Sequence, residues 1–260
     1  MGKNIVEYTV MKWFLCYIAI IPVSAYSLFE PVDCEGDIWK TQGIYTSPAF
    51  IHNRFGVSAD YMLPFGMTDL SMERVAVVIP SGIGSFALRA SNFGGSVYRE
   101  NEISLGYANG CNSVRFGTFF KMLYVSTEEY GSALTISGDI GVMTVVDWGS
   151  IWLSFRDFTN PSIGGETIDG NLTGGIYLFP EDFFNIDVQI MKQQGFATST
   201  KVLGLFHLSE FFTARAGMNT SPRSFIVGTA FQIENLGITY VVTTHWELGL
   251  SHIVTLSYGE

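Results

Sequence analysis

Residues Ser113–Val125 read SVRFGTFFKMLYV, and this stretch decides the fold class. Taken alternately, its side chains separate into two sets. The first set is apolar apart from one threonine and consists of Val114, Phe116, Thr118, Phe120, Met122 and Tyr124. The second set holds both charges and a glycine and consists of Arg115, Gly117, Phe119, Lys121 and Leu123. Because successive side chains of a strand point to opposite faces, one face suits lipid and the other a polar interior, as in the wall of a transmembrane β-barrel.

The same alternation recurs along the chain. In Phe225–Ile233, Phe225, Val227, Thr229, Phe231 and Ile233 share one face, and Gly228, Ala230, Gln232 and Glu234 share the other. The candidate strands start near Arg54, Leu70, Ser85, Arg99, Ser113, Ser132, Ser150, Gly174, Phe184, Lys201, Phe212, Ser224, Gly237 and Leu248. Turn residues such as Asn109-Gly110 separate them. The pattern predicts an all-β, antiparallel transmembrane barrel of about 14 strands over residues 54–260, with Asn160–Thr173 as a long extracellular loop.

Composition agrees with a membrane protein. Hydrophobic residues make up 47% of the 260 residues and charged residues only 15%, whereas soluble domains carry about 25% charged residues. After Val23 no stretch is apolar for the 18 or more residues that a membrane-spanning helix needs. The net charge of −10 and the absence of a basic run argue against nucleic acid as a partner. A soluble β-sandwich is the alternative fold, but it would need more charge on its outward faces.

The N-terminus has the order of features of a secretory signal peptide. Lys3 and Lys12 precede an apolar run, Trp13–Val23, which ends in the small-residue sequence Val23-Ser24-Ala25. The run has about 11 residues, which is too short for the alternative of a membrane anchor. We therefore predict a signal peptide at residues 1–25, with Met1 or Met11 as the start, and a bacterial outer-membrane location. Residues 26–53 do not alternate cleanly and are expected to form either a plug in the lumen or a periplasmic tail.

The sequence supports predictions about the role of only a few individual residues. Cys34 and Cys111 are the cysteines left after signal cleavage, and in an oxidising compartment they are a candidate disulfide. The candidate lumen residues are Arg115, Lys121, Arg156, Arg215 and Glu234, and Asp139, Asp187 and Glu234 are candidate ion-pair partners of the first two. No nucleophile–base arrangement and no metal-ligand spacing is visible, so the sequence predicts no enzyme, no metal and no cofactor.

The C-terminal part resembles a known family. The resemblance rests on two segments and the residues after them. Phe212–Asn219 reads FTARAGMN, and Glu247–His252 reads ELGLSH and is followed by Leu256-Ser257-Tyr258. Over Lys201–Glu260 the chain is similar to PorV/PorQ-type outer-membrane proteins, which belong to the wider FadL-like barrel superfamily. Upstream the likeness is looser: Ser47-Pro48-Ala49 stands where the family has Asn-Pro-Ala. The resemblance implies a 14-stranded outer-membrane barrel in contact with outer-membrane lipid.

The resemblance leaves the function open between two classes. A scaffold or cargo shuttle of type IX secretion, with secreted cargo proteins or secretion components as partners, is the reading that the closing motif favours. A FadL-like channel for the uptake of hydrophobic small molecules is the alternative. It predicts an apolar lumen and a lateral opening in the wall, for which Gly94-Gly95 is either a mid-strand kink or only a turn. A structural envelope protein without transport is the third reading.

Overall fold

The computed structural model describes residues 40–111, 113–181 and 183–259, and in them fourteen antiparallel strands close into a barrel. Each strand of the barrel pairs with its neighbour in the chain, and β1 closes the sheet against β16. The barrel strands are β1 Gly56–Leu63, β2 Met72–Ser81, β3 Gly84–Gly94, β4 Tyr98–Cys111, β5 Val114–Thr127, β6 Gly131–Val146, β7 Gly149–Arg156, β10 Asn171–Glu181, β11 Phe184–Gln193, β12 Ser199–Ser209, β13 Phe212–Thr220, β14 Arg223–Ile233, β15 Leu236–His245 and β16 Gly249–Tyr258. The predicted fold class is confirmed, and the predicted strand starts lie within three residues of the observed ones.

The connections at the two ends of the barrel differ in length. At the end that holds the start of β1 and the end of β16, successive strands are joined by links of two residues, such as 82–83 and 234–235. At the opposite end, eight residues join β1 to β2 and fourteen, 157–170, join β7 to β10. Outer-membrane barrels keep their short turns in the periplasm and their long loops outside. The long-loop end is therefore the extracellular end.

The 157–170 connection has structure of its own, which the alternation did not predict. Two short strands, β8 Ser162–Ile163 and β9 Glu166–Thr167, pair as a hairpin. Ile163 and Ile168 pack against the apolar residues of the lumen. The predicted extracellular loop is thus a small folded cap at the long-loop end.

The residues that directly precede the first strand of the wall, 41–50, lie inside the barrel. Every residue from Thr41 to Phe50 is buried, and this stretch contains two 3₁₀ helices, Thr41–Tyr45 and Pro48–Phe50. The first helix lies against β1 and β2, and the second against β4, β5 and β6. Residues 41–50 therefore fill part of the lumen, and we name them the lumen segment. The predicted signal peptide and residues 26–39 lie outside the described residues, so the domain boundaries remain predictions.

Two wall glycines let the lumen segment approach the sheet. A Cβ on Gly117 of β5 would lie 2.1 Å from the backbone oxygen of Pro48, and one on Gly141 of β6 would lie 2.4 Å from Ser47 Oγ. Real Cβ atoms do not approach backbone oxygen so closely, so a side chain at Gly117 would displace the segment. Gly117, the inward-facing glycine of Ser113–Val125, therefore allows the lumen segment to pack closely against the wall.

We expect Gly117→Ala to loosen the lumen segment and to lower the free energy of unfolding by about 1–3 kcal/mol, because overpacking forces the backbone to move. Limited proteolysis of the detergent-solubilised protein with trypsin, scored at Lys40 and Arg54, measures the release. Gly82→Ala is the matched control, since no atom lies within 4 Å of a Cβ there. Equal cleavage rates in the two variants would contradict the close packing.

The outer surface of the wall is apolar. Outward side chains in mid-strand positions include Phe86, Leu88, Ile103, Leu105, Phe116, Phe120, Ile151, Leu153, Val227 and Tyr240, all of them exposed. No helix within the described residues is long and apolar enough to cross a membrane. In hydrocarbon every backbone donor and acceptor must be paired within the protein, which a closed sheet achieves.

Candidate functional site

A network of ion pairs lies inside the barrel, on the inward faces of β3 to β6. Arg89 binds Glu102 through Nε at 2.8 Å and Asp139 through Nη2 at 2.8 Å. Lys121 Nζ lies 2.8 Å from Asp139 Oδ1 and 2.5 Å from Asp157 Oδ1. These side chains are no more than 4% exposed. Buried charges persist only when paired and hydrogen-bonded, and this network satisfies that condition across four strands and the strand end of β7.

The network also holds the lumen segment. Arg89 Nη1 donates to the backbone oxygen of Ile44 at 3.1 Å. The guanidinium of Arg89 lies 4.1 Å from the ring centre of Phe119, and that of Arg74 lies 4.5 Å from the ring centre of Tyr45. A cation over an aromatic face is stabilised further when the pair is desolvated. The inner position of the segment therefore depends on wall cations.

An apolar cluster crosses the lumen beside the ion pairs. It contains Ala49, Phe50, Met62, Met72, Phe93, Leu123, Met143, Trp152, Tyr177, Leu203, Leu205, Ile226, Val241 and Ile253. Phe50 of the lumen segment meets Trp152 of β7 edge to face, with ring centres 5.3 Å apart. At the extracellular end Leu70, Ile163 and Ile168 pack against the cluster. A packed apolar cluster thus reaches from the lumen segment to the outer cap, and buried polar side chains such as Asp187, Lys201 and Arg215 lie on the same inward faces.

The structure places the predicted lumen residues in different ways. Lys121, Arg156 and Arg215 are inward and buried, and Arg115 is half-buried on the same face of β5 as Lys121. Glu234 does not line the lumen: it lies in the exposed link between β14 and β15 with a φ of 51°. Alternation assigns it the inward face, but β14 ends at Ile233, and the left-handed turn breaks the period.

The predicted disulfide lies outside what the structure describes, because Cys34 is among residues 1–39. Of its proposed partner, only the backbone is described: Cys111 ends β4, opposite Val114. The disulfide stays a prediction.

Alternation alone does not identify Arg89 and Glu102, two of the five residues of the ion-pair network. Nor does it identify Arg74 and Asp60, which form a separate buried ion pair at 3.2 Å. The sequence nevertheless contains a signal for Arg89. It stands between the apolar residues Leu88 and Ala90, so if these face outward, alternation places the charged side chain of Arg89 on the inward face.

The wall has one seam between β6 and β7 within the described residues. The register of these strands runs from Val146 opposite Gly149 to Ile140 opposite Phe155 and stops there. Toward the extracellular end, Gly131–Asp139 of β6 continues in register with β5 alone. Because β7 ends at Arg156, the adjoining edge of β6 is not part of a ladder there.

Residues Asp157–Asn160, which we name the strap, cover this seam. The Phe158 amide donates to Gly138 O at 3.1 Å, and Thr159 Oγ1 lies 3.2 Å from Ser137 Oγ. The Asp157 carboxylate points inward to Lys121, and its amide donates to Asp139 Oδ1 at 2.9 Å. A Cβ on Gly138 would lie 2.8 Å from the Phe158 ring, so this glycine makes room for the phenyl group. The strap is therefore fixed to the wall through side chains and the Phe158–Gly138 bond.

The glycine pair that suggested a mid-strand kink lies elsewhere. Gly94 is the last residue of β3, with a φ of 91°, and Gly95 begins the link to β4. Gly94-Gly95 is therefore a turn, and the interruption of the wall lies at the β6–β7 seam instead.

The closed fourteen-stranded barrel, its apolar outer face and its short turns at one end define a bacterial outer-membrane β-barrel. The structure is similar to a deltaS2 mutant of the monoaromatic hydrocarbon channel TodX, with a TM-score of 0.65 and 9% identity, over 85% of this chain and 94% of that one. It is similar to the Pseudomonas putida toluene transporter TodX, with a TM-score of 0.59 and 10% identity, over 83% and 91%. The monoaromatic hydrocarbon channel CymD gives a TM-score of 0.55 and 11% identity, over 88% and 93%.

Comparison of the sequence with known families and curated proteins adds no match: no family model matches the chain, and no curated protein matches its sequence. At these identities the structural similarity establishes the fold alone. None of the three structures points to the PorV/PorQ-type proteins or to type IX secretion.

Proposed function

We propose that the protein is a conduit for hydrophobic small molecules across the outer membrane. The observation that carries the proposal is the apolar cluster, which extends through the lumen from Phe50 to the extracellular cap at Ile163 and Ile168. An apolar compound in this interior loses no hydrogen bonds with water and gains contact with apolar surface. The names of the similar structures, hydrocarbon channels and a toluene transporter, support the same class of solute.

This reading replaces the secretion scaffold as the preferred function. The scaffold rests on the closing sequence motif alone, and a shared fold by itself assigns no function. The conduit, in contrast, is supported by the apolar cluster in the lumen. A wide aqueous pore is a poorer fit, because the lumen segment and the ion pairs occupy the inward space of β1 to β6.

The test is uptake by cells that carry the protein in their outer membrane. Radiolabelled toluene is expected to enter several-fold faster than in cells with an empty vector, while glycerol, a polar solute of similar size, enters at an unchanged rate. Equal acceleration of both solutes would show a porin. No acceleration of either would show a sealed barrel and would overturn the proposal.

A lumen variant sharpens the test. Leu203→Asn places an amide in the apolar cluster, and desolvating a polar group without a partner costs about 1–3 kcal/mol, so toluene uptake should fall roughly tenfold. Thr200→Asn, on the same strand with its side chain outward, is the matched control and should keep the wild-type rate. Heat-modified migration in gels verifies that both variants are assembled.

A further inference from the structure

We propose that the lumen contains a binding position for a hydroxyl group between Trp152 of β7 and Gln189 of β11, and that it favours apolar solutes with one hydroxyl, such as phenols. This inference rests on the conduit proposed above and names its solute class. Within the described part of the chain, Trp152 Nε1 and Gln189 Oε1 are buried and make no hydrogen bond. The two residues are only 3% and 2% exposed. Because buried polar groups are almost always paired, their partner is expected to be a bound molecule.

The two residues lie in one row across three neighbouring strands. Gly175 of β10 is the register partner of Trp152 on one side and of Gln189 on the other. A Cβ on Gly175 would lie 2.7 Å from Trp152 Nε1, so the indole nitrogen lies over the glycine, on the side that faces Gln189. Opposite residues of neighbouring strands have Cβ positions only about 5 Å apart. A buried donor and a buried acceptor therefore flank the same glycine.

The orientation of the Gln189 amide is fixed by its neighbour on the same strand. Its Nε2 donates to Asp187 Oδ2 at 2.6 Å. Because a carboxylate can only accept, this bond distinguishes the amide nitrogen from Oε1 and leaves Oε1 as the acceptor. Lys201 of β12 is the register partner of Gln189, and it is buried, as is Asp187. The charges beside the position are thus of opposite sign, which suits a neutral solute.

A hydroxyl is the simplest neutral group that satisfies both atoms. An indole N–H only donates and an amide oxygen only accepts, whereas a hydroxyl does both. A solute carbonyl would accept from Trp152 and leave the oxygen of Gln189 unpaired, and a hydrocarbon would leave both atoms unpaired. Since an unpaired buried donor or acceptor costs free energy, the position discriminates in favour of the hydroxyl.

The surroundings suit the apolar body of such a solute. Phe50 of the lumen segment meets the Trp152 ring edge to face, with ring centres 5.3 Å apart. Met143 of β6 is the register partner of Trp152, and Leu203 of β12 is the register partner of Asp187. Phe50, Met143 and Leu203 all belong to the apolar cluster. A water molecule would also satisfy the two polar atoms, but it has no apolar part to bury against this cluster.

Equilibrium dialysis of the purified barrel in detergent, with radiolabelled phenol and radiolabelled toluene, tests the position. The two solutes are similar in size and differ by a hydroxyl in place of a methyl group. The ratio of their association constants, phenol over toluene, is expected to fall at least fivefold in Trp152→Phe, which removes the N–H and keeps an aromatic ring. The same fall is expected in Gln189→Leu, which removes the acceptor. Partition into detergent is common to all variants, so it cancels when their ratios are compared.

Trp148→Phe is the matched control. Trp148 is 51% exposed in the link between β6 and β7, and its replacement should keep the wild-type ratio. Gln189→Leu also removes the bond to Asp187, so Trp152→Phe, which leaves that bond in place, is the decisive variant. Heat-modified migration in gels verifies that each variant is assembled.

The outcomes separate the two proposals. If the wild-type barrel binds toluene and the ratio is the same in every variant, water satisfies the two atoms, the hydroxyl position is overturned, and the conduit stands. If the wild-type barrel binds neither solute, the conduit has failed and the hydroxyl position fails with it.

The indole N–H gives a second readout that does not depend on affinity. In the barrel labelled with ¹⁵N-tryptophan, the Trp152 signal is identified by its absence from Trp152→Phe. Phenol is expected to move the N–H proton signal downfield, because hydrogen bonding deshields the proton, whereas toluene is not. A signal that responds alike to both solutes would overturn the assignment of Trp152 as the donor.

Discussion

Asp139→Asn is expected to lower the free energy of unfolding by about 3–5 kcal/mol, because it breaks two buried ion pairs and leaves Arg89 with Glu102 alone and Lys121 with Asp157 alone. Asp139 binds both Arg89 and Lys121 and is 1% exposed. Its Oδ1 also accepts the Asp157 amide N–H at 2.9 Å, a bond that the side-chain oxygen of asparagine can keep. An asparagine of the same shape keeps the packing, and the loss therefore reports charge. Urea titration of the barrel in lipid vesicles, followed by tryptophan fluorescence, gives the value.

Asp69→Asn is the control for this measurement. Asp69 is an exposed acid in the β1–β2 link, and surface substitutions of this kind usually change stability by less than about 0.5 kcal/mol. Similar stabilities of the two variants would contradict a desolvated network. A larger loss for Asp139→Asn than for Asp157→Asn would agree with its position, since Asp139 binds two cations and Asp157 binds one of them.

The wall was predictable from the sequence because its physics is local. A strand between lipid and a filled lumen must alternate, and the turns between strands need glycine, proline or asparagine. Ser113–Val125 shows both faces without any knowledge of the neighbours, and the structure has β5 there with Phe119, Lys121 and Leu123 buried. Closure into a barrel follows because an open edge in lipid leaves backbone groups unpaired.

The interior was predictable only in part, because alternation shows which face of the wall a side chain is on but not its position along the barrel axis. Arg89, Lys121 and Asp139 meet because strand register brings β3, β5 and β6 to one level, and the Arg89–Asp139 pair spans fifty residues of sequence. Register depends on the stagger of the whole barrel, which a single strand does not encode. For this reason Lys121 could be assigned to the lumen from its own strand, whereas the partner of Arg89 could not.

The β6–β7 seam could not be predicted from the sequence, for a related reason. It exists because β7 is eight residues long and β6 is sixteen, so β6 extends beyond its neighbour. Each strand alternates well by itself, and the mismatch becomes visible only when the two are aligned. The polar 157–170 connection reads as a loop, yet Asp157 has its carboxylate in the lumen and Phe158 its ring on the wall.

Leu105→Arg is expected to destabilise the barrel by about 2–4 kcal/mol, the cost of a cation on the lipid face at the bilayer midplane. Leu105 is outward on β4 and 62% exposed, and its register neighbours Leu88 and Phe120 are also outward and apolar. The side chain lies in the middle of its strand, so the guanidinium has a long way to reach either interface. Urea titration in vesicles, with assembly scored by heat-modified migration, measures the loss.

Asn101→Arg, on the same strand and face, supplies the depth comparison. Its register neighbours are Asn92 and Tyr124, a polar row nearer the extracellular end, where a cation costs only about 0–1 kcal/mol. The difference between the two variants therefore locates the hydrocarbon boundary between two outward positions four residues apart. Equal losses at both positions would contradict a lipid-facing band, since a wall that faces water has no reason to penalise charge by depth.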